Sequence, residues 1–411
     1  MKKHHKLLLL SSMLLSSYVG AAEVNERDIE TLREWINSRR MITVKELGGQ
    51  LSISGDIHGE MQAANEVKDG VRQKGSGTGS PSKTYDVEFN LAIDYRADRT
   101  WAAARLRFDD DAGLTNEKVG SGKTNNIKLD RAYFGYRIFD GNQHTMDVEM
   151  GRRGLSTVFD SKLQFNSNFD GVLFKDSYVF DRAGDFYYEL GLLLVNEKRS
   201  QVAYLGEIGL QNIARTGFYT KYSLADWDTT NASGIPNQFQ FVVSQLLLGY
   251  KFIPTQLDRV VNFYLAGLYN HVAERHAITD YKRARKGGYV GMSIGQAKLQ
   301  GDWVFEANYQ VLAAQCVPDF DASGVGLGNS SGNGFYYDKI TTKGTSTSYT
   351  LNTRKTAEGN VNFRGFELTL QYLLSNNLNL FQQWKQGITL DDHIGPFRKY
   401  KQYEIDFIYG F

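Results

Sequence analysis

Seven charged residues stand at spacings that could set up a field across a narrow passage. Arg105, Arg107, Arg131, Arg137 and Arg153 occupy the polar phase of alternating stretches, and Asp160 and Lys162 lie in the segment 154–167 between two such stretches. If that segment folds inward, Asp160 opposes the arginines. Opposed charges across a low-dielectric gap orient a passing solute. The other reading is that the arginines pair with Asp94, Asp109, Asp147 and Glu149 on neighbouring strands and simply line a wet wall. The surplus of Arg over acids in these strands leans toward anions. Arg152 has the opposite phase to Arg153, which places it past an apolar band or at a bulge.

The remaining reactive groups form weaker patterns. Asp109-Asp110-Asp111 could attract Ca²⁺, but the spacing matches no ion-binding loop and a solvated rim is the simpler reading. His271 and His276 are five apart on a loop. Asp391-Asp392-His393 has no accompanying serine motif, so a surface loop is expected rather than an enzyme. The basic run Lys282-Arg283-Ala284-Arg285-Lys286 suits phosphate groups or plain solvation. Cys316, the single cysteine, excludes an intrachain disulfide; it would stay free or link chains. No phosphate-cradling glycine loop, nucleotide fold or zinc pattern is present, so no cofactor and no metal is expected.

The elements that must position these groups read as strands. In 85–96, Tyr85, Val87, Phe89, Leu91, Ile93 and Tyr95 form one face, opposite Asp86, Glu88, Asn90, Asp94 and Arg96. Period-two alternation means one oily and one wet face, and aromatics at both ends with aliphatics between suit a strand crossing a lipid band. Leu51, Ile53, Ile57 and Met61 begin the series, and 101–109 and 127–139 continue it. Further strands are expected near 144–153, 168–180, 185–196, 202–213, 216–226, 237–252, 260–271, 287–296, 303–315, 361–374, 378–387 and 399–411. That makes about sixteen. Those at 168–180, 237–252 and 378–387 alternate poorly. Tight turns at 140–143, 181–184, 212–215 and 375–377 alternate with longer loops, the longest at 316–360, a polar Gly/Ser/Thr/Asn-rich stretch whose composition favours exposure. At the end of the chain, Tyr403, Ile405, Phe407, Tyr409 and Phe411 share one phase, broken only by Ile408 in the other.

The fold class that follows is all-β: a transmembrane antiparallel β-barrel. In hydrocarbon an open sheet edge leaves backbone groups unpaired, and closure removes the edge. Sixteen strands leave room for a watery bore, whereas about eight would be filled by side chains. Composition agrees: 24 Tyr, 24 Phe, 41 Gly and only 5 Pro in 411 residues. A mean hydropathy of −0.41 disfavours a helical membrane protein, not a barrel with a polar lumen. A formal charge of +1 gives no reason to expect nucleic acid.

The first residues read differently. Lys2, Lys3 and Lys6 precede an apolar run and the small residues Gly20, Ala21 and Ala22, the pattern of a signal peptide over 1–22. Ile29, Leu32, Trp35 and Ile36 then predict a short amphipathic periplasmic helix within a linker over 23–49, acting as a plug, a cell-wall contact or a cap at the barrel base. The barrel is expected over 50–411.

Together these features resemble a Gram-negative outer-membrane porin. Leu129-Asp130-Arg131-Ala132-Tyr133-Phe134-Gly135-Tyr136 is similar to the fourth-strand motif of trimeric porins, Met150-Gly151-Arg152-Arg153 to the fifth-strand Gly-Arg, and Phe169-Asp170-Gly171-Val172 to the strand after it. The lysine-rich start and the helix also resemble porin-like proteins of the chlamydial group. The Pro-Glu-Phe-Gly-Gly motif of general porins is missing from 154–167. The resemblance implies a water-filled outer-membrane channel for passive diffusion of small hydrophilic solutes, a homotrimer, contact with outer-membrane lipid and lipopolysaccharide, and recognition of the C-terminal strand by the barrel-assembly machinery. A non-channel surface protein, an adhesin or antigen on a barrel scaffold, is the alternative.

Overall fold

A computed structural model describes residues 42–46, 49–73, 83–111, 127–180, 182–196, 201–228, 240–326, 337–343, 346–357 and 359–411. The expected signal peptide and the helix carrying Ile29 to Ile36 lie outside the described residues, as do the acidic side chains at 109–111. Residues 42–46, expected to be linker, form a strand antiparallel to 49–53.

Sixteen strands make the wall. They are β1 (Gly49–Lys68), β2 (Lys83–Ala97), β3 (Thr100–Asp111), β4 (Ile127–Asp140), β5 (His144–Gly154), β6 (Asn168–Phe180), β7 (Gly184–Asn196) and β8 (Gln201–Ile213). The second half comprises β9 (Phe218–Asp228), β10 (Phe241–Phe252), β11 (Val261–Asn270), β12 (Lys286–Gly295), β13 (Trp303–Leu312), β14 (Phe363–Leu373), β15 (Leu378–Thr389) and β16 (Arg398–Gly410). The sheet has 18 members because the short strands at 42–46 and 71–72 add themselves to β1. Each wall strand pairs antiparallel with its sequence neighbour, and β1 pairs with both β2 and β16.

That last pairing closes the cylinder. Register runs from Lys68↔Arg398 to Asp56↔Gly410. Phe411 continues the seam, exchanging backbone hydrogen bonds with Gly55 at 3.0 and 2.9 Å. Its ring stacks near Phe89 and covers the face of Gly55, where a Cβ would lie 2.4 Å from the ring. A side chain at position 55 would therefore push the last aromatic out of the seam.

The apolar phase faces outward, as alternation predicts. Ile53, Tyr85, Phe134, Leu190, Leu192, Tyr204, Ile208, Phe263, Leu265, Tyr309, Tyr403, Phe407 and Tyr409 are exposed, and their neighbours in the opposite phase are half-buried or buried inside. From Tyr85 to Tyr95, ten residues at about 3.3 Å each and a tilt near 40° rise about 25 Å, the height of a hydrocarbon band. Ile408 breaks the alternation because it faces inward and is buried. Seven connections at one end span two to eight residues; those at the other end reach fifty, at 313–362.

The three strands with poor alternation exist, as β6, β10 and β15. Their inner residues Phe169 and Leu173, Phe241, Val243 and Leu247, and Phe381 are buried and apolar. For β6 and β10 the reason is a hydrophobic core lying inside the barrel, made with loops that fold into the bore.

Candidate functional site

The bore is shaped by the segment after β5. Leu155–Thr157 makes one 3-10 turn, and the Leu155 N–H donates to Ser167 O at 2.9 Å, pinching the base of the loop. The loop then turns inward. Phe159 and Phe165 pack with ring centroids 5.3 Å apart, and Leu155 and Leu163 lose all solvent contact. Burying such side chains stabilises by about 1.5–3 kcal/mol each.

Polar contacts fix where the loop lands. Lys221 of β9 reaches Asp160 at 2.9 Å. Gln245 of β10 donates to the Asp160 carbonyl at 2.6 Å and accepts from Ser161 Oγ at 2.7 Å. Lys162 meets Glu306 of β13 at 2.7 Å and lies over the Tyr264 ring. The loop therefore crosses to the β9–β13 side, and Asp160 does not face the arginines as the sequence suggested. The apolar residues of the loop decide this, because the β3–β5 wall offers charge and the far wall offers Leu247, Leu268 and Leu312.

A second loop locks the first. Asp321 accepts backbone N–H groups from Phe165 at 2.9 Å and Ser167 at 3.1 Å, and Ser323 N–H donates to Leu163 O at 3.0 Å. Phe165 holds φ at +74°, a conformation a bulky residue keeps only when its surroundings fix it. Burial pushes the Asp321 carboxyl up to about 7, against the N–H bonds that favour its charged form. Cys316, Val317, Ala322 and Val325 of this segment are buried in the core. The expectation that 316–360 is exposed is thus corrected at its start, where apolar side chains outweigh the polar composition of the middle. Buried Cys316 cannot link chains, and burial pushes its thiol well above its usual range.

The arginines on β3–β5 are paired. Arg105 is 2% exposed; it donates to Asn90 at 3.1 Å and lies 3.3 Å from Asp130 and 3.6 Å from Glu88. Arg107 is 34% exposed and meets Glu88 at 2.8 Å. Arg137 forms a fork with Asp147 at 2.9 and 3.3 Å. Arg153 contacts Glu149, bonds Thr157 and stacks on Tyr133. Arg131 lies opposite Arg105, half-buried, at a register shift in β4. Two expected acids, Asp147 and Glu149, serve as partners; Glu88 and Asp130 were missed. No bulge intervenes at Arg152: it keeps the regular outward phase of Met150 and pairs with Asp170 at 2.7 and 2.6 Å.

Sequence reading missed the centre at the seam. His58 of β1 lies between Asp56 at 2.9 Å and Asp406 of β16 at 3.1 Å, all three nearly without solvent contact. Asn90 donates to Asp56 at 2.8 Å. Asp56 and His58 share the inward phase of one strand, which was legible; their meeting with Asp406 depends on closure of a barrel 348 residues later in sequence. Glu60, Asp86, Glu88 and Glu404 also face inward along β1, β2 and β16. This removes the basis for an anion preference, which counted β2–β5 alone.

The other candidates do not converge. His271 contacts Ser244, while His276 accepts from the Ile278 N–H and caps a 3-10 turn. Among the described residues, Asp391, Asp392 and His393 alone gather metal-type ligand atoms within 4.8 Å, on an exposed loop. In the basic run, Lys282 lies near Asp280 and Arg285 over the outward Tyr269.

No protein-family model matches the chain, and no curated protein matches it. Solved structures similar to it include a chain described under "Asymmetric conductivity of engineered proteins" (11% identity, TM-score 0.46, 88% of this chain and 100% of that one). Others are Pseudomonas putida OprB at low pH (11%, 0.44, 88% and 92%) and a triple mutant of the Rhodopseudomonas blastica porin (10%, 0.46, 88% and 100%). The barrel itself rests on its own hydrogen-bond ladder and not on these likenesses.

Proposed function

We propose that this protein is a porin-type channel of a bacterial outer membrane, passing small hydrophilic solutes without a cofactor. The observation that carries the reading is the division of the wall: an apolar, solvent-exposed outer face around an inner face of charged and polar side chains, some of which keep contact with solvent. A soluble protein gains nothing by presenting rows of Leu, Phe and Tyr to water, whereas a lipid-facing barrel requires them.

The passage runs along the β1–β5 side. There Arg107, Arg137 and Asp147 retain exposure, as does Lys175 on the adjoining β6, while the loop 155–167 is packed on the opposite wall. The core and the two inserted loops take up part of the bore. Selectivity follows from the mixed wall of Arg107 and Arg131 against Glu60, Asp86 and Glu88. Reconstitution of the folded barrel in planar bilayers tests this: small, uniform conductance steps are expected, and a folded barrel that gives none overturns it.

One observation favours a second reading. The core inside the barrel, with Phe159, Leu163, Phe165 and Phe363 at or below 1% exposure, is what a closed scaffold would also have. On that reading the long-loop end, 271–285 and 313–362, acts as a binding or antigenic surface, and silence in the bilayer is its expected result.

A further inference from the structure

On the outer face Arg152 is neutralised where it stands by Asp170, its direct cross-strand neighbour. One stretch of the wall is arranged differently. On β1, β2, β15 and β16, no carboxylate among the described residues occupies an outward position. Yet Lys83 and Lys401 point outward there and are exposed.

These two lysines border a hollow of about 270 Å³ in the outer face. Its floor is Ala63, which pairs with Tyr403 on one side and Lys83 on the other. The small side chain leaves the space, since outward positions beside it carry Trp384 and Tyr403. Asn65 pairs with Lys401 one step nearer the long-loop end, and Arg72 overhangs from the 69–82 connection. Toward the middle of the band the wall is continuous apolar surface: Met61, Tyr85, Val87 and Phe407. Basic groups, an aromatic pair and then an oily track follow one another along a single line.

We infer that this hollow holds the phosphate-bearing headgroup of a lipid in the leaflet at the long-loop end, with its acyl chains lying along Met61, Val87 and Phe407. Ammonium groups near the lipid boundary favour an anionic partner, and each supplies a charge-assisted hydrogen bond to phosphate. Trp and Tyr settle at headgroup depth. The hollow supplies shape where a bare basic patch would supply only charge. This rests on the wall facing lipid and is independent of whether the bore conducts.

The test is native mass spectrometry of the folded barrel released from detergent micelles doped with phosphatidic acid or with phosphatidylcholine. Wild type is expected to retain phosphatidic acid about tenfold better, the scale of one charge-assisted contact. The variant Lys83→Gln with Lys401→Gln should erase that preference, and Ala63→Leu, which keeps both charges but fills the hollow, should reduce it. Arg364→Gln, outward on β14 and away from the hollow, should retain it. Heat-modifiable migration on gels confirms that each variant folds. Equal retention of the two lipids by wild type, or an undiminished preference in the double lysine variant, overturns the inference. Displacement of phosphatidic acid by inorganic phosphate alone would assign the hollow to a free anion and overturn the lipid.

Discussion

The inner faces of β2–β5 and of β8–β13 obey the same alternation and hold different things. On β2–β5 the inward residues include Glu88, Asn90, Arg105 and Arg107, tied to one another, and Tyr133, Glu149 and Arg153, which form a second group. On β8–β13 they include Ala203, Leu205, Ala225, Val243, Leu247, Leu268 and Leu312, packed against two inserted loops. A lumen position in a barrel is thus not polar by rule. It is polar where it meets water or a fixed counter-charge, and apolar where a loop covers it.

The strongest way to break that contrast is to put a charge where the loop meets the far wall. Leu163 has no solvent contact, so Leu163→Asp buries an unpaired carboxylate among apolar neighbours, a change worth several kcal/mol, about 3 or more. The β ladder is untouched and the barrel should still close. The loop should leave its wall, lowering the thermal midpoint and raising single-channel conductance. A variant with wild-type midpoint and wild-type conductance would show that 155–167 is not anchored there.

The contrast sharpens within one strand. Arg105 and Arg107 are two residues apart, in the same phase, at 2% and 34% exposure. Arg105→Met leaves Glu88 and Asp130 without their buried cation and is expected to cost about 3–5 kcal/mol. Arg107→Met removes a partly solvated pair and should cost about 1 kcal/mol or less. Arg107→Glu should instead move the reversal potential in a salt gradient toward cations, because this side chain keeps contact with solvent. Equal stability losses from the two Met variants would mean that the wall is uniformly wet.

These pairs also show what the sequence could yield. Thirteen of the sixteen strands were legible because outward residues must satisfy lipid at every second position, whatever lies inside; the three that alternate poorly, β6, β10 and β15, followed from the need for an even count. Alternation blurred at β6 and β10 for a reason invisible locally: Phe169 and Val243 belong to a core completed by residues as distant in sequence as Cys316, Val317 and Val325. Asp160 was read as an eyelet charge because its partner Lys221 lies 61 residues on, and nothing nearby in sequence distinguishes that lysine from Arg131. The same holds for His58 and Asp406, which meet only through closure of the seam.

A smaller effect separates the two loops by pH. Burial raises the Asp321 carboxyl to about 7, above an unfolded value near 3.9. A raised folded value means the protonated form is favoured by folding. Its contribution is complete below about pH 4 and fades as pH climbs through about 7. The folded barrel should therefore lose stability between about pH 4 and pH 7, through the cost of burying the carboxylate and not through the N–H bonds of Phe165 and Ser167. A lower thermal midpoint at the higher pH is expected in wild type. Asp321→Asn should flatten this difference. A difference of the same size in the Asn variant would place the titration elsewhere.

The smallest effect belongs to the outer face, at Arg152 beside buried Arg153. The two are adjacent and point to opposite sides of the wall. Arg153 stacks on Tyr133 and touches Glu149 within the protein, whereas Arg152 and Asp170 are each about half exposed on the surface. In water such a pair contributes about 0.2–1 kcal/mol. A double-mutant cycle with Arg152→Gln and Asp170→Asn, read from the thermal midpoint in detergent, should return a coupling in that range. It should also shrink in high salt, since an exposed pair is screened. A coupling of several kcal/mol that ignores salt would mean that the pair is enclosed, and that this face of the cylinder is covered by something other than lipid or solvent.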